Sequence, residues 1–214
     1  MRVTPVNPTD PRADRLSEAV EVLAGGGIVA LPTETVYGLA ADPFNVEALQ
    51  RLNRVKRKPQ DSPFLLLLSD PSQVAVVAGR LPDCYERLVE SFWPGPLTVI
   101  VPSAPELPAS VGGGQGTVAV RVPGMVLPRR IAARLGRPIT GVSANLYGEQ
   151  PCRTAIEVAG TFGESIEMIL DGGPTPGGVA STIVDLTGAK PRLLRSGLVP
   201  MASLEPFLPD LVHD

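Results

Sequence analysis

The feature of this sequence that most constrains its fold is the alternation of short apolar runs with segments of helical periodicity. Apolar residues recur at helical spacing over 10–24, with Asp10 as the predicted N-cap and three glycines behind the segment as its stop. Apolar runs at 28–31 and 64–68, the second reading FLLLL, predict buried strands. This alternation predicts an α/β protein built on a twisted mixed sheet that is flanked by helices.

The remaining elements follow from the same patterns. A second helix is predicted to begin near Asn45 and to end at a cluster of cations, with Val46, Leu49 and Leu52 facing the core. The stretch before it, PTETVYGLAADPF, is predicted to be a loop, and Asp70 is predicted to open a short helix. Further helices are predicted at 82–92, 126–135 and 154–162, and further strands at 97–101, 117–122, 138–142, 167–170, 181–186 and 192–194.

Composition limits the function classes. A chain of 214 residues with 43% hydrophobic content can bury one substantial core, and we expect one domain at 1–197 with a tail at 198–214. The net charge of -3 and the aromatic content of 4% disfavour nucleic acid as the main partner. The longest apolar run, 64–68, is far short of the roughly 20 residues that span a membrane. Because the N-terminus has no hydrophobic signal core, a cytoplasmic location is expected.

The residue inventory disfavours several chemistries. His213, the only histidine, lies one residue from the end of the given sequence. A Ser-His-Asp mechanism therefore lacks a suitable histidine base, and a zinc site lacks histidine ligands. Cys84 and Cys152 are predicted to be reduced thiols. The Walker pattern is absent. The glycines at 25–27 precede a strand, whereas the glycines of a dinucleotide-binding fingerprint follow a strand and precede a helix. The glycines at 112–116 are predicted to form a flexible loop.

The sequence VKRKPQDSPFLLLL places three cations between a helix and a buried strand. Lys56, Arg57 and Lys58 lie at the negative end of the helix dipole, and on one interpretation they only complement the helix. On the other, two prolines make this corner stiff, Ser62 adds a hydroxyl, and the end of a strand in an α/β sheet is where ligands bind. The corner then predicts a site that neutralises an anion.

Two further segments carry polar side chains in ordered positions. In TVAVRV, Arg121 shares a strand face with Thr117 and Ala119, and burial of this arginine requires a carboxylate from the protein or from a ligand. In PTETVYGL, Thr33 and Thr35 present their hydroxyls on one side if the segment is extended. If the segment is a turn, the same hydroxyls bond to the backbone instead.

Seven segments in a fixed order carry a resemblance to a known family. They are PTETVYGLAAD, the corner at 56–59, FWPGPLT, VAVRVPG, GVSANLYG, STIVDL and the ending at 195–197. Together they resemble the YrdC family over roughly residues 12–197, and the ordered set is specific although each motif alone is weak. The resemblance implies a twisted α/β sheet with a deep cationic cavity. It also implies L-threonylcarbamoyladenylate synthase activity, in which L-threonine, bicarbonate and ATP give threonylcarbamoyl-AMP and pyrophosphate for modification of the tRNA adenosine next to the anticodon.

Carried over to the matching positions, the resemblance implies a role for each of several residues. The expected catalytic residues are Lys56, Lys58 and Arg121. The expected threonine site consists of Thr33, Thr35, Arg121, Gly141 and Ser181. The expected ATP site consists of Lys56, Lys58, Ser62, Thr117, Ser143, Asn145, Pro151 and Arg195. No resident metal or organic cofactor is expected, and Mg²⁺ is expected to arrive with ATP.

Two expectations concern individual side chains. Arg121 is expected to lack a protein carboxylate partner, because a partner would block the threonine carboxylate and the strand of Arg121 supplies none. Replacement of Lys56 or Lys58 by Ala is expected to weaken ATP binding and to leave the melting temperature nearly unchanged.

The sequence departs from the family pattern at three positions. Lys58 replaces a usual arginine, which gives a point charge in place of a bidentate fork. Leu67 stands where some relatives carry a histidine. Pro151 stands where the family often has a serine, so any contact from Pro151 to the nucleotide is expected through its backbone carbonyl.

Two other functions are compatible with the same fold. An RNA-binding or ribosome-associated factor would use the same cationic cavity, but the acidic net charge and the scarce aromatics disfavour it. A carbamoyl-transfer domain of a larger protein is disfavoured because companion zinc-finger or acylphosphatase-like segments are absent from the sequence. The expected partners are therefore the three small substrates and downstream tRNA-modifying transferase proteins, with tRNA bound weakly or indirectly and no membrane.

Overall fold

The structure confirms the α/β class and corrects the number of sheets. It is a computed structural model, and it describes residues 1–176 and 179–213. Within these residues strands and helices alternate as predicted, but the strands form two mixed sheets instead of one.

The elements have the following bounds. The strands are β1 (Arg2–Pro5), β2 (Val29–Pro32), β3 (Tyr37–Ala40), β4 (Leu65–Leu67), β5 (Leu97–Pro102), β6 (Thr117–Arg121), β7 (Ile139–Thr140), β8 (Val142–Ser143), β9 (Met168–Asp171), β10 (Thr182–Asp185), β11 (Arg192–Arg195) and β12 (Val212–His213). The helices are α1 (Ala13–Ala24), α2 (Val46–Lys56), α3 (Tyr85–Phe92), α4 (Val126–Leu135), α5 (Ala155–Phe162) and α6 (Met201–Leu204). Short 3-10 helices cover Pro71–Val76, Ala109–Gly112 and Gly163–Ser165.

Between β7 and β8 the chain passes from the second sheet to the first through one residue, Gly141. The first sheet has the strand order β1-β9-β2-β3-β8, and the second has the order β12-β11-β10-β5-β6-β4-β7. The sequence predicted one strand over 138–142, but β7 pairs with β4 of the second sheet while β8 pairs with β3 of the first. Gly141 separates these two short strands and therefore joins the sheets.

The stretch PTETVYGLAADPF, predicted to be a loop, contains the strand β3. Tyr37, Leu39 and Ala40 are completely buried, and β3 lies between β2 and β8. The prediction was wrong because burial on both faces removes the alternation of apolar and polar residues that marks a half-exposed strand. Only residues 33–36 and 41–44 of the stretch remain outside regular structure.

The helix boundaries were predicted with mixed success. The helix α2 begins next to Asn45 as predicted, and the Asn45 side chain caps it by accepting a hydrogen bond from the backbone N–H of Ala48 at 3.0 Å. Asp10 does not cap α1, because the helix begins at Ala13 with Arg12 at the N-cap position. Val46, predicted to face the core, is 43% exposed, because it lies at the edge of the buried helix face that contains Leu49 and Leu52.

Residues 198–213 pack against the rest of the chain. Leu204 and Leu208 belong to the main hydrophobic cluster, and β12 pairs in parallel with β11 at the edge of the second sheet. Asp214 lies outside the described residues, and the division into a domain at 1–197 and a tail at 198–214 stays a prediction. No helix in the described ranges is both long and apolar enough to cross a membrane. Cys84 and Cys152 are free thiols, as predicted.

Candidate functional site

One face of the second sheet carries a row of functional side chains. On β6, Val118, Val120 and Val122 point into the main core, as the alternation in TVAVRV predicted, which leaves Arg121 on the opposite face. Arg121 is the register partner of Leu67 on β4. On the other side, Arg195, Ile183 and Thr98 are register partners across β11, β10 and β5. Sheet pairing therefore places the two arginines on neighbouring parts of one surface.

Arg121 is paired with a carboxylate of the protein, contrary to the expectation from the sequence. Its Nη2 donates to Oε1 of Glu34, and its Nε donates to the backbone carbonyl of Gly95 at 3.0 Å. Arg121 is 3% exposed, so a partner for its charge is required, and the partner comes from the loop after β2 and not from its own strand. Burial alone would raise the pKa of Glu34, but the charge of Arg121 and the N–H of Gly124 outweigh it and hold that pKa below its usual value.

Ser181 joins Arg195 to the row. The Nη2 of Arg195 donates to the Ser181 hydroxyl, and its Nε donates to the Ser181 carbonyl, both at 3.0 Å. The hydroxyls of Ser181 and Thr98 are hydrogen-bonded to each other at 2.9 Å. Burial and the nearby positive charge of Arg121 both lower the pKa of Arg195. Because the two positive guanidinium groups of Arg121 and Arg195 lie near each other, this surface favours a ligand that carries negative charge.

The loop at 33–36 is a turn held by the hydroxyl of Thr33. This hydroxyl donates to the Val36 carbonyl at 2.7 Å and accepts the backbone N–H of Thr35 at 3.2 Å. The hydroxyls of Thr33 and Thr35 lie 2.9 Å apart and are hydrogen-bonded. The sequence left two alternatives for this segment, an extended conformation and a turn, and the structure shows the turn. It also sets Glu34, between the two threonines, over Arg121.

Lys56 is the anchor of a second group of side chains, at the end of α2. It is 4% exposed, and its ammonium donates to the backbone carbonyls of Ser143 and Asn145, the latter at 2.7 Å. The side-chain oxygen of Asn145 lies 3.4 Å from the same ammonium and accepts from the Ser143 hydroxyl at 2.5 Å. Burial first, and then the charge of Lys58, lower the pKa of Lys56 to about 8. Lys56 thus does more than complement the helix dipole, since its contacts lie in the turn after β8.

Lys58 and Ser62 form the outer part of this corner. The Lys58 ammonium donates to the Pro63 carbonyl at 2.8 Å and lies 5.5 Å from the centre of the Phe64 ring. Burial lowers the pKa of Lys58. Ser62 is half-buried, and its backbone N–H donates to the Pro59 carbonyl at 3.1 Å.

The first two glycines of the segment 112–116 pack closely, Gly113 against this corner, whereas Gly114 and Gly116 are exposed, and the flexibility of the loop stays a prediction. Gly112 is buried, and a Cβ on Gly113, whose φ is 63°, would lie 2.4 Å from the Asp61 carbonyl. Only glycine permits that contact in the left-handed conformation. Thr117 begins β6 directly after the loop and lines a cavity of about 280 Å³ together with residues 103–105 and 107–109 and the glycines at 112, 114 and 116. None of the other residues expected in the site is among the described residues that line this cavity.

Gly141 and Leu67 lie between the two groups. A Cβ on Gly141 would lie 2.3 Å from Cγ of Leu67, which itself sits beside Arg121 in the sheet. Ser143 follows two residues later and is the register partner of Gly38, next to the loop that carries Glu34. The arginine row, which consists of Arg121 and Arg195 with Thr98 and Ser181, therefore lies next to the lysine corner, which consists of Lys56, Lys58 and Ser62. The two groups meet near Gly141, where the chain passes from the second sheet to the first.

Pro151 lies beside the lysine corner. The next residue, Cys152, donates its backbone N–H to the Ala144 carbonyl at 2.8 Å and accepts from the N–H of Tyr37 at 3.0 Å. These contacts place the segment after Pro151 alongside β3 and β8. Within 1–176 and 179–213, no cluster of His, Cys, Asp or Glu could hold a metal ion.

The interpretation of the sequence missed several residues of the site. Glu34 was not singled out, although it is the only acid in PTETVYGL. Thr98 was also missed, because its position in a run of strand residues gives no sign that its hydroxyl meets Ser181 from a distant strand. The lone acid between two threonines was the one local signal available.

Fold and side-chain arrangement together define a class: a mixed α/β protein with two sheets, in which a buried arginine and a buried lysine lie near the junction of the sheets. Comparison with known proteins gives the family. The Sua5/YciO/YrdC family model, described as telomere recombination, matches residues 21–197. The chain belongs to this family.

Two curated relatives and one solved structure illustrate the similarity. The chain is 38% identical over 203 residues to the threonylcarbamoyl-AMP synthase of Pyrococcus abyssi, covering 92% of this chain and 60% of that protein. It is 37% identical over 192 residues to the threonylcarbamoyl-AMP synthase of Bacillus subtilis, covering 89% and 56%. The crystal structure of P. abyssi Sua5 complexed with L-threonine matches with a TM-score of 0.95 and 35% identity, covering 100% of this chain and 63% of that one. The chain thus spans about 60% of the length of these relatives.

Proposed function

We propose that this protein is an L-threonylcarbamoyladenylate synthase. In this reaction L-threonine, bicarbonate and ATP give threonylcarbamoyl-AMP, pyrophosphate and water, and the product serves the modification of the tRNA adenosine next to the anticodon. Mg²⁺ would enter as part of the ATP substrate. The proposal is supported by the names of the relatives and by their similarity over most of this chain.

The observation that carries the proposal is the adjacency of the arginine row to the lysine corner. An amino acid with its carboxylate at Arg121 and Ser181 would lie next to a triphosphate held by Lys56, Lys58 and Arg195. Such an arrangement suits adenylate formation, because transfer to the α-phosphorus depends chiefly on positioning and on neutralising charge. It also accounts for a site without histidine, since neither step of the transfer depends on an imidazole base.

The remaining residues have roles that follow from their places in these groups. Thr33 and Thr35 would face the amino-acid side chain, and the backbone at Gly141 would close its pocket. Ser143, Asn145 and the carbonyl of Pro151 would contact the nucleotide from one side. Ser62 and Thr117 would contact it from the other, within a cationic cavity at the junction of the sheets.

Pyrophosphate release by the purified protein tests the proposal. With ATP, Mg²⁺ and bicarbonate, release is expected only when L-threonine is present, and L-valine should replace it poorly because it lacks the hydroxyl. Omission of bicarbonate should also abolish release. If the protein releases no pyrophosphate under any of these conditions but binds short RNA tightly at low salt, the synthase assignment fails and an RNA-binding function accounts better for the cations.

A further inference from the structure

Glu34 makes contacts that the proposed function does not by itself require. It lies between Thr33 and Thr35, and its carboxylate reaches Arg121 on the second sheet. We propose that Glu34 is a positioning residue, which holds the Arg121 guanidinium so that one edge is presented to the carboxylate of the amino-acid substrate. This inference rests on the proposed function, because it assumes that Arg121 binds that carboxylate.

The hydrogen bonds of Arg121 occupy only one edge of its guanidinium. A guanidinium offers a carboxylate either the side-on edge, made by Nε and Nη2, or the end-on edge, made by Nη1 and Nη2. The side-on edge of Arg121 is occupied, since Nε donates to Gly95 and Nη2 donates to Glu34. Within the described residues Arg121 makes hydrogen bonds only through these two nitrogens. The end-on edge therefore remains for a ligand, even though the arginine is paired.

Glu34 is itself held in place by groups other than Arg121. Its Oε1 accepts the backbone N–H of Gly124 at 2.9 Å, and its Oε2 accepts that of Met125 at 3.4 Å. Both N–H groups immediately precede α4, whose dipole favours a negative charge there. The carboxylate is thus a fixed point against which the longer and more flexible arginine is oriented.

The charges of the site agree with this role. Arg121 and Arg195 bring two positive charges to one surface, and Glu34 cancels one of them. Without Glu34 a buried, mobile guanidinium would face the site, and its fork would no longer have a preferred direction.

A different role would have the opposite effect. If Glu34 occupied the place of the substrate carboxylate, threonine would have to displace it, and removal of Glu34 would strengthen threonine binding. The position of Glu34 on the side-on edge, together with its two backbone contacts, argues for orientation and against competition.

Three variants separate orientation from charge. Glu34→Gln retains an oxygen acceptor for Gly124 and Arg121 at the same reach but removes the charge. Glu34→Asp retains the charge but is one methylene shorter, so it cannot reach both groups. Glu34→Ala removes both. Glu167→Ala is the matched control, because Glu167 also pairs with an arginine, Arg51, at 2.6 Å and accepts a backbone N–H, that of Ile28, at 2.7 Å, but lies beside β2 and β9.

The measurement is KM for L-threonine and for ATP in the pyrophosphate assay, with the melting temperature of every variant recorded. We expect KM for threonine to rise about tenfold or more in Glu34→Asp and Glu34→Ala and to stay within about threefold of the wild type in Glu34→Gln. KM for ATP should change less than about twofold in all three variants. Glu167→Ala should lower the melting temperature and leave both KM values unchanged.

Other outcomes overturn the inference. A lower KM for threonine in Glu34→Ala would identify Glu34 as a competitor of the substrate. Equal KM values in Glu34→Asp and the wild type would show that reach does not matter, and this comparison decides the question even if Glu34→Ala does not fold. A wild type that releases no pyrophosphate is a failure of the proposed function, and the inference falls with it, whereas an active wild type with three unaltered variants is a failure of the inference alone.

Discussion

The ammonium of Lys56 donates to the backbone carbonyl of Asn145 at 2.7 Å, which joins the end of α2 to the turn after β8. A second bond to the Ser143 carbonyl strengthens this connection. The lysine expected to bind phosphate therefore holds the turn that would form the opposite wall of the nucleotide site. Its longest contact, 3.4 Å to the side-chain oxygen of Asn145, is the one that a phosphate oxygen would replace at least cost.

Replacement of Lys56 by Ala should destabilise the protein as well as weaken ATP binding. Two buried carbonyls lose their donor, so the free energy of unfolding should fall by about 2 to 3 kcal/mol, measured by denaturant titration. This replaces the expectation from the sequence that the melting temperature would hardly change. Lys58→Ala is the control, since Lys58 is only half-buried and has one carbonyl partner. Equal stability of the two variants would contradict an anchoring role for Lys56.

The affinity for ATP should fall as the pH rises through the pKa of Lys56. Burial lowers this pKa from 10.5 to about 8, so the ammonium loses its proton at a pH where an exposed lysine would keep it. We expect ATP to bind about tenfold more weakly at about pH 9.5 than at about pH 7, as measured by calorimetry. In Lys56→Met the affinity should be lower and nearly independent of pH. If the affinity for ATP falls equally with pH in the wild type and in Lys56→Met, the group that titrates is not Lys56.

The same pKa predicts the sign of the effect on stability. Since the folded-state pKa lies below that of the unfolded chain, the unfolded state binds the proton more tightly between about pH 8 and about pH 10.5. The pH-dependent part of the free energy of unfolding that Lys56 contributes therefore rises with pH across this window and is lost as the pH falls through about 8. Below that pH the burial cost of the ammonium offsets part of the stabilisation by its hydrogen bonds.

Arg121→Lys should impair the use of threonine more than the use of ATP. Lysine can replace the charge next to Glu34, but it cannot bond to Gly95, Glu34 and a substrate carboxylate in one plane. We expect KM for L-threonine to rise about tenfold or more and KM for ATP to change little. Arg137→Lys is the control, because Arg137 pairs with Asp42 at 3.3 Å on another part of the surface. A threonine KM equal to that of the control would remove Arg121 from the amino-acid site.

Gly197→Ala should displace Ser181. A Cβ at position 197 would lie 2.4 Å from the Ala180 carbonyl oxygen and 2.5 Å from the carbonyl carbon of Ser181, both of which are backbone. The free energy of unfolding should fall by about 1 to 3 kcal/mol, and KM for threonine should rise because the hydroxyl of Ser181 moves away from Thr98 and Arg195. In Gly160→Ala, where nothing lies within 4 Å of the added Cβ in α5, the stability should instead rise by about 0.5 to 1 kcal/mol. An unaltered threonine KM in Gly197→Ala would show that Ser181 is not part of the site.

The parts of the fold that the sequence predicted are those with a local signal. The helix α4 was predicted at its observed bounds, and helices begin next to Asn45 and Asp70 as predicted, where both side chains accept backbone N–H groups. The strand β3 was missed because full burial erases its alternation, and the single strand predicted over 138–142 was wrong because its two halves pair with different sheets.

The membership of the candidate site stays a prediction, and most of its contacts could not be predicted from the sequence. The valines of β6 and the lone arginine on its other face follow from a period of two, which any strand obeys. The partner of Arg121 could not be predicted, because Glu34 is 87 residues away in the chain and meets it only through the packing of the two sheets. The buried lysine is a similar case, since the carbonyls of Ser143 and Asn145 have no sequence pattern.

The single residue between β7 and β8 limits how this protein can vary during evolution. One inserted residue at Gly141 would turn β8 over, so that Val142 and Ser143 would exchange faces and the lysine corner would lose its wall. A side chain at the same position would push Leu67 away from Arg121. New ligand specificities are therefore expected to arise by insertion, deletion or substitution in the loops at 33–36 and 103–116, which can change without altering the spacing of the two sheets.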